Sequence, residues 1–348
     1  MFPDELGFKY PKVNEDICVD CGRCVAVCQF KKNYDRRGLF ASPEIYGLRS
    51  SNEDELKNSQ SGAAFFCISE EILNAGGIVY GAVAMPFIVK HEGARNDAGR
   101  DRMRGSKYIQ SDLGNVFIDI KDNLAKGETV LFTGTPCQVA GLKSFIGKKY
   151  SERLYTADLL CHGVASPKIW QDYLHYLEKK HKGKIENVNF RNKKFGWNVP
   201  KETYLINEKE VSTTTFLDLY FSHNISRECC SECPYTNYSR IGDFSLGDFW
   251  GWERSHSELN DNKGVSLFFI NSDKGKNLFE RIRDKVIYVP TTKEECKQNV
   301  LIHPTEHSKE RETFIAEYMK NGFTAVVKKY TQEGWKLRWK IRIAKLIR

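Results

Sequence analysis

The chain of 348 residues carries 53 Lys and Arg against 45 Asp and Glu, a net charge of +8, with 41% hydrophobic, 12% aromatic and 28% charged residues. These values exclude a disordered chain, leave ample material for a buried core and suggest about two domains. Eleven cysteines are too few for a disulfide scaffold and many for a metal-free cytosolic enzyme, and six of the positive charges fall in 336–348, so the nearly neutral body does not point to nucleic acid.

Residues 1–45 are rich in Cys, Lys and Gly and short on periodic structure, the pattern of a small metal-organised module. The N-terminus has neither a basic nor an apolar signal region, so a reducing cytoplasm is the expected compartment. Ala63, Phe65, Phe66, Ile68, Ile72 and Leu73 suit a helix ended by Gly76-Gly77, and Ile78–Met85 a buried strand. Together these explain the uncharged run Ile72–Val89, which Asn74, its glycines and Pro86 make a poor membrane span. Val116, Ile120 and Leu124 predict an amphipathic helix over Asp112–Lys126. A strand at Thr129–Thr133, a helix from Pro136 to Phe145 and a strand at Leu154–Leu160 follow. Ser166-Pro167 supplies an N-cap and N1 proline for a helix over Lys168–Lys180. Further strands are expected at Ile185–Arg191, Thr203–Asn207, Glu210–Thr214, Asp243–Leu246 and Val265–Asn271, with helices at Phe216–Asn224, Lys274–Asp284 and Lys293–Val300. Strands alternating with helices argue an α/β core, with α+β elements, on a mixed sheet.

Six motifs carry chemistry. Cys18, Cys21, Cys24 and Cys28 stand in the C-x2-C-x2-C-x3-C spacing of bacterial ferredoxins. Gly22 would let the backbone approach the cluster closely, and a zinc knuckle is the competing reading. In two-cluster ferredoxins the last Cys of such a run serves the other cluster, and here only one run is present, with Gln29 in place of the usual proline. Cys230 and Cys233, after Cys229, form a C-x2-C pair that reads as half a zinc site, a redox pair or half a cluster site. Cys137 follows Thr133-Gly134-Thr135-Pro136 where a strand turns into a helix, a place that lowers a thiol pKa and where α/β sheets bind ligands. Cys161, in Asp158–Gly163, ends the next strand. Each of these two alone is commonly a small buried hydrophobe, but with Cys230 and Cys233 they make four soft ligands, the count for one cubane. Arg104, Ser106, Lys107, Tyr108 and Ser111 form a segment able to hold a pyrophosphate and a flat ring, or else a solvated basic turn. Gly242 and Gly247 flank an aromatic strand, consistent with close backbone approach or with a turn.

Together these stretches resemble one family. GFKYP with the first cysteine run, SGAAFF, GGIVYGAV, RGSKYIQSDLG, LFTGTPCQVAGLK, DLLCHGVASPKIW, VNFRNKKFGW, CCSECPY, LGDFWG and DNKGVSLFFIN are similar, in order over about 7–272, to the beta subunit of coenzyme F420-reducing hydrogenases and dehydrogenases, its bacterial relatives and 7-hydroxymethyl chlorophyll a reductase. The resemblance implies an oxidoreductase with FAD on an α/β core. Cys137, Cys161, Cys230 and Cys233 would hold an inner [4Fe–4S] cluster, with a second possible at Cys18–Cys28. Arg104, Ser106, Lys107, Tyr108, Ser111, Thr133, Gly134 and Thr135 would bind the flavin, with Asn189 and Arg191 as further candidates and His162 as a proton or hydrogen-bond donor. The donor would be ferredoxin or F420, the recipient a substrate or a partner enzyme, and a homo-oligomer is compatible. Three departures stand out. One ferredoxin run is missing, SGAAFF replaces a more usual SGG, and Cys229 stands where the family favours a small polar residue.

The expected organisation is a truncated ferredoxin-like module over 1–45, a flavin-binding mixed-sheet core in two parts (46–180 and 181–325) and a basic amphipathic tail helix over 326–348. The tail suits peripheral membrane contact or docking on protein. Two alternatives accompany the oxidoreductase reading: an electron-transfer subunit without its own substrate, and a zinc-stabilised scaffold with a degenerate flavin site.

Overall fold

The computed structural model describes residues 1–30, 34, 36–256 and 261–334; the basic segment from 335 to 348 lies outside them. In chain order the strands are β1 (Phe2–Pro3), β2 (Lys9–Tyr10), β3 (Glu44–Ser50), β4 (Ile78–Met85), β5 (Ile88–Ala94), β6 (Val130–Gly134), β7 (Leu154–Leu159), β8 (Ile185–Asn189), β9 (Glu202–Ile206), β10 (Lys209–Thr213), β11 (Phe244–Asp248), β12 (Ser266–Ile270) and β13 (Val286–Pro290). Eight of them form one mixed sheet in the order β13-β3-β12-β11-β7-β6-β4-β5. The inner four, β11, β7, β6 and β4, are parallel, and the remaining pairings are antiparallel. The fold is thus α/β with a mixed sheet, as expected. Strands from 46–180 and from 181–325 interleave in it.

Side-chain alternation assigns the two faces. Val79, Val83, Leu131 and Ala157 point to a core shared with the helices Ala64–Asn74 and Asp273–Ile282. Ile78, Tyr80, Val130 and Phe132 point the other way, onto the helices Val116–Ala125 and Pro136–Ile146. A second layer holds the antiparallel sheet β10-β9-β8 and the helices Pro167–His181, Thr215–Phe221, Arg311–Asn321 and Phe323–Tyr330. Trp170, Tyr173 and Phe216 are buried there with Leu6 and Phe8. Ser166 caps its helix as expected, its Oγ accepting from the Ile169 amide at 3.0 Å while donating to the Leu6 carbonyl at 2.6 Å.

The helix expected over 293–300 does not form. One turn follows Thr292, and then Gln298 leaves the helical path to donate from Nε2 to the Asp248 carbonyl at 2.9 Å, followed by a 3-10 turn at Asn299–Leu301. The helix expected from Asp112 starts at Val116, because Gly114 takes a left-handed φ of 47°.

Candidate functional site

The parallel strands β6, β7 and β11 end on the same edge of the sheet, the position where α/β sheets bind ligands. A cavity of about 460 Å³ opens there, within the size range of cofactor sites. Arg104, Ser106, Lys107, Tyr108, Ser111, Thr133, Gly134, Thr135 and Arg191 all line it, as does His162. Asn189 does not; its Oδ1 accepts from the Arg191 amide at 3.0 Å and it only positions the chain before Arg191.

The segment 104–108 is not a solvated turn. Arg104 bonds the Glu55 carboxylate at 2.5 Å, the Glu55 carbonyl at 2.7 Å and Ser59 Oγ at 2.9 Å, and its guanidinium carbon lies 4.8 Å from the centre of the Phe66 ring. Lys107 Nζ donates to the carbonyls of Met103 and Arg104 at 2.6 and 2.7 Å, and burial pushes its ammonium down to about 7. Tyr108 packs 4.5 Å from the Tyr220 ring, and burial raises its phenol. Arg191 pairs with Asp248 and stands 5.1 Å from the Trp250 ring.

Sequence reading missed His91, Tyr220, Asp248 and Trp250 as lining residues. His91 Nε2 faces the Thr133 carbonyl at 3.0 Å, an acceptor, so that nitrogen carries the proton and Nδ1 is left buried and unpartnered. Burial holds His91 down to about 4. β5, mixed polar and apolar with a glycine in it, gave no sequence signal for it.

Cys161 and His162 are among the residues lining the cavity. Behind Cys161 the four inner cysteines come together. Charge on Cys137 or Cys233 would raise the Cys161 thiol, and charge on Cys161 would raise that of Cys230. The Cys230 Cβ lies 3.3 Å from where a side chain on Gly163 would begin. The expected low pKa at Cys137 is reversed. Thr135 and the helix start pull it down, but burial outweighs them and raises it. Burial likewise lifts Cys161 to about 12 and Cys233 to about 11. Contact with Cys230 pulls the Cys229 thiol down to about 6, aided by Arg227, and the same contact, with burial, pushes the Cys230 thiol up. Burial also lowers His162, leaving it neutral near pH 7.

A buried clamp fixes this loop. Arg240 donates from Nε to Asp158 Oδ1 at 3.1 Å and from Nη1 to the Tyr235 carbonyl at 2.8 Å, and Nη2 pairs with Asp158. Asp158 Oδ2 accepts from the Ile241 and Gly242 amides at 3.2 and 2.8 Å. Gly242 is required, since a Cβ there would meet the Asp158 amide at 2.9 Å. This, rather than approach to a ligand, accounts for that glycine.

The first run, Cys18 to Cys28, is exposed. Gly22 takes φ 67° at the start of the short helix Arg23–Ala26, a conformation that favours glycine. The module docks beside the inner site: Tyr235 donates to the Gln29 carbonyl, and Tyr34 and Tyr235 pack at 4.7 Å.

Both implied groups fit the residues present. Four desolvated thiols in one buried place are a donor set for soft metal. Among the described residues no three or more His, Cys, Asp or Glu converge to hold a single metal ion, whereas a four-iron cluster needs thiols spread around its corners. The cavity offers aromatic walls and two buried unpartnered nitrogens, His91 Nδ1 and Arg104 Nε, to a flat heteroaromatic ligand. Glu55 and Asp101 already balance Arg104, so Lys107 is the cation whose charge an anionic group would restore. Ala63, in SGAAFF, lines the same cavity at φ 67°, a conformation that favours the glycine it replaces.

Residues 127–295 match the family model for the C-terminal part of the coenzyme F420 hydrogenase/dehydrogenase beta subunit. The fold is similar to a chain of the F420-reducing [NiFe] hydrogenase complex from Methanosarcina barkeri, in a structure with xenon derivatization, at 18% identity and a TM-score of 0.50, over 87% of this chain and 97% of that one. At that identity the likeness is one of fold. No curated protein matches the chain.

Proposed function

Because residues 127–295 belong to the coenzyme F420 hydrogenase/dehydrogenase beta-subunit family, we propose that the protein is an iron–sulfur flavoprotein oxidoreductase. FAD would occupy the cavity and a [4Fe–4S] cluster the site of Cys137, Cys161, Cys230 and Cys233, with a second cluster at Cys18–Cys28. Electrons would pass between a donor such as ferredoxin or reduced F420 and a substrate or partner enzyme. One observation carries this reading: the wall shared by the cavity and the thiol set is Cys161–His162.

Bound, the two groups would interconvert hydride and single-electron chemistry. The chain's own part follows from its residues. Tyr108, Tyr220 and Trp250 give a flat ligand apolar faces, and His91 Nδ1 accepts a hydrogen bond from its edge. Lys107 meets negative charge. Neutral His162, beside Cys161, can accept a proton and pass it on, or donate a hydrogen bond, and the burial that lowers it also keeps bulk water away. The exposed first run offers partners a point of electron exchange.

No described helix is long and apolar enough to cross a membrane. Anaerobic mixing with reduced F420, reduced ferredoxin and NAD(P)H in turn tests the proposal: one of them bleaches the flavin absorbance, and C161S slows onward electron transfer without slowing that bleaching. Bleaching only when a partner enzyme is added would instead support the subunit without its own substrate, which the exposed first cysteine run favours.

A further inference from the structure

Two guanidinium groups, those of Arg227 and Arg240, act on the inner thiols. They are not equivalent. Arg240 is fully engaged, its charge met by the buried Asp158 and its nitrogens by Asp158, Ser245 and the carbonyls of Tyr235 and Leu159. Arg227 donates from Nη1 to Gln110 Oε1 at 2.8 Å and from Nη2 to the Lys9 carbonyl at 3.0 Å, neither of them a carboxylate. Its neighbour Glu228 turns instead to Arg311 and His307. Its guanidinium carbon stands 4.2 Å from the centre of the Tyr10 ring, which fixes the plane of the group. Its Nε is buried without a hydrogen-bond partner. Arg227 faces no carboxylate, it pulls down the neighbouring Cys137 and Cys229 thiols, and its buried Nε–H still meets no acceptor, which an anionic group at the inner site would supply.

We propose that Arg227 is a positioning residue of the inner site: its Nε–H donates to a sulfur of the thiolate-bound cluster, and Gln110 and Tyr10 hold it in place to do so. The inference rests on the four-cysteine cluster reading above. Gln110 lies between the cavity residues Ile109 and Ser111, so one side chain ties the cluster's surroundings to the cavity wall. A thiolate-bound cluster is a net anion, more so when reduced. A nearby cation and a hydrogen bond to sulfur therefore favour the reduced form and raise the potential.

The test uses the full chain purified anaerobically with its cluster. R227Q should keep wild-type iron and sulfide, and an EPR-monitored redox titration should show its reduction equilibrium weakened at least tenfold, about 59 mV for one electron. R227K, which keeps the charge, should recover part of this. An unchanged midpoint in R227Q with full iron would overturn the proposal. A second measurement does not depend on the variant holding its cluster. Wild-type protein grown on arginine labelled with 15N in the guanidinium should show nitrogen coupling to the reduced cluster by pulsed EPR, and R227K should lose that coupling. Iron and sulfide present without arginine coupling would refute the role of Arg227 while leaving the cluster reading intact. Wild-type protein lacking iron and sulfide would remove both.

Discussion

Asp158→Ala is the sharpest structural perturbation of the site. Asp158 is fully buried and accepts four hydrogen bonds, two from Arg240 and one each from the Ile241 and Gly242 amides. The variant leaves a buried guanidinium without its counter-charge, which costs about 3–5 kcal/mol. The Ile241 and Gly242 amides lose their acceptor and add to the loss. Urea unfolding followed by far-UV circular dichroism at neutral pH measures the difference. The double variant D158A/R240M removes the stranded charge as well and should regain much of the loss. The iron content of D158A should also fall, since the clamp holds the loop between Cys233 and Gly242 against the strand that ends beside Cys161. A D158A protein within about 1 kcal/mol of wild type would refute the clamp.

Three further outcomes follow from the same structure. Substituting Cys137, Cys161 or Cys233 by Ser should lower iron per chain, whereas Cys229→Ser should leave it at the wild-type level, as read by a colorimetric iron assay. Glu202 is buried, accepts from the Tyr173 hydroxyl and the Phe216 amide, and is held up at about 8 by burial. Its stabilising contribution is complete below its ordinary 4.5 and is lost as pH rises through about 8. The contribution of His91, held down at about 4, is complete above 6.5 and is lost as pH falls through 4. Lys107, held down at about 7, adds stability as pH rises above 7 and would mask this, so the Glu202 contribution is read as a difference: from pH 6.5 to 8 the wild type should lose stability relative to Glu202→Gln by up to about 1.4 kcal/mol per pH unit in urea titrations. Ala63→Val places a β-branched residue at φ 67° and should destabilise by about 2 kcal/mol or more, whereas Ala63→Gly should not destabilise, both read as urea midpoints.

The parts of the fold that could be read from sequence were those with a single strong period and clear punctuation. The helix ended by Gly76-Gly77, the buried strand Ile78–Met85 and the Ser166-Pro167 helix start all stand within a residue or two of expectation. The edge strands β5 and β13, and β3 beside β13, could not be read. β5 runs Ile-Val-Lys-His-Glu-Gly-Ala, with one face polar and one glycine, and β3 and β13 owe their extended form to pairing with each other across more than two hundred residues. The helix Arg311–Asn321 buries only Arg311, Phe314 and Tyr318, too sparse a stripe to mark it. At the site, residue types and spacing indicated the cysteines, because soft ligands are uncommon, whereas the composition of 104–111 reads as a solvated basic turn and only the family resemblance pointed to a ligand there. His91 and Asp248 were hidden, since their roles depend on partners, Thr133 and Arg191, brought to them by the sheet. The thiol pKa at Cys137 was misjudged because local sequence shows the helix start and not the burial around it.

The central claim is that the cavity and the thiol set are one redox site. Anaerobic purification followed by a visible spectrum and assays for flavin, iron, acid-labile sulfide and zinc tests it most directly. One flavin per chain is expected, with about four irons and as many sulfides at the inner site, and about eight of each if the first run also holds a cluster. A colourless protein carrying zinc, without flavin or sulfide, would contradict it.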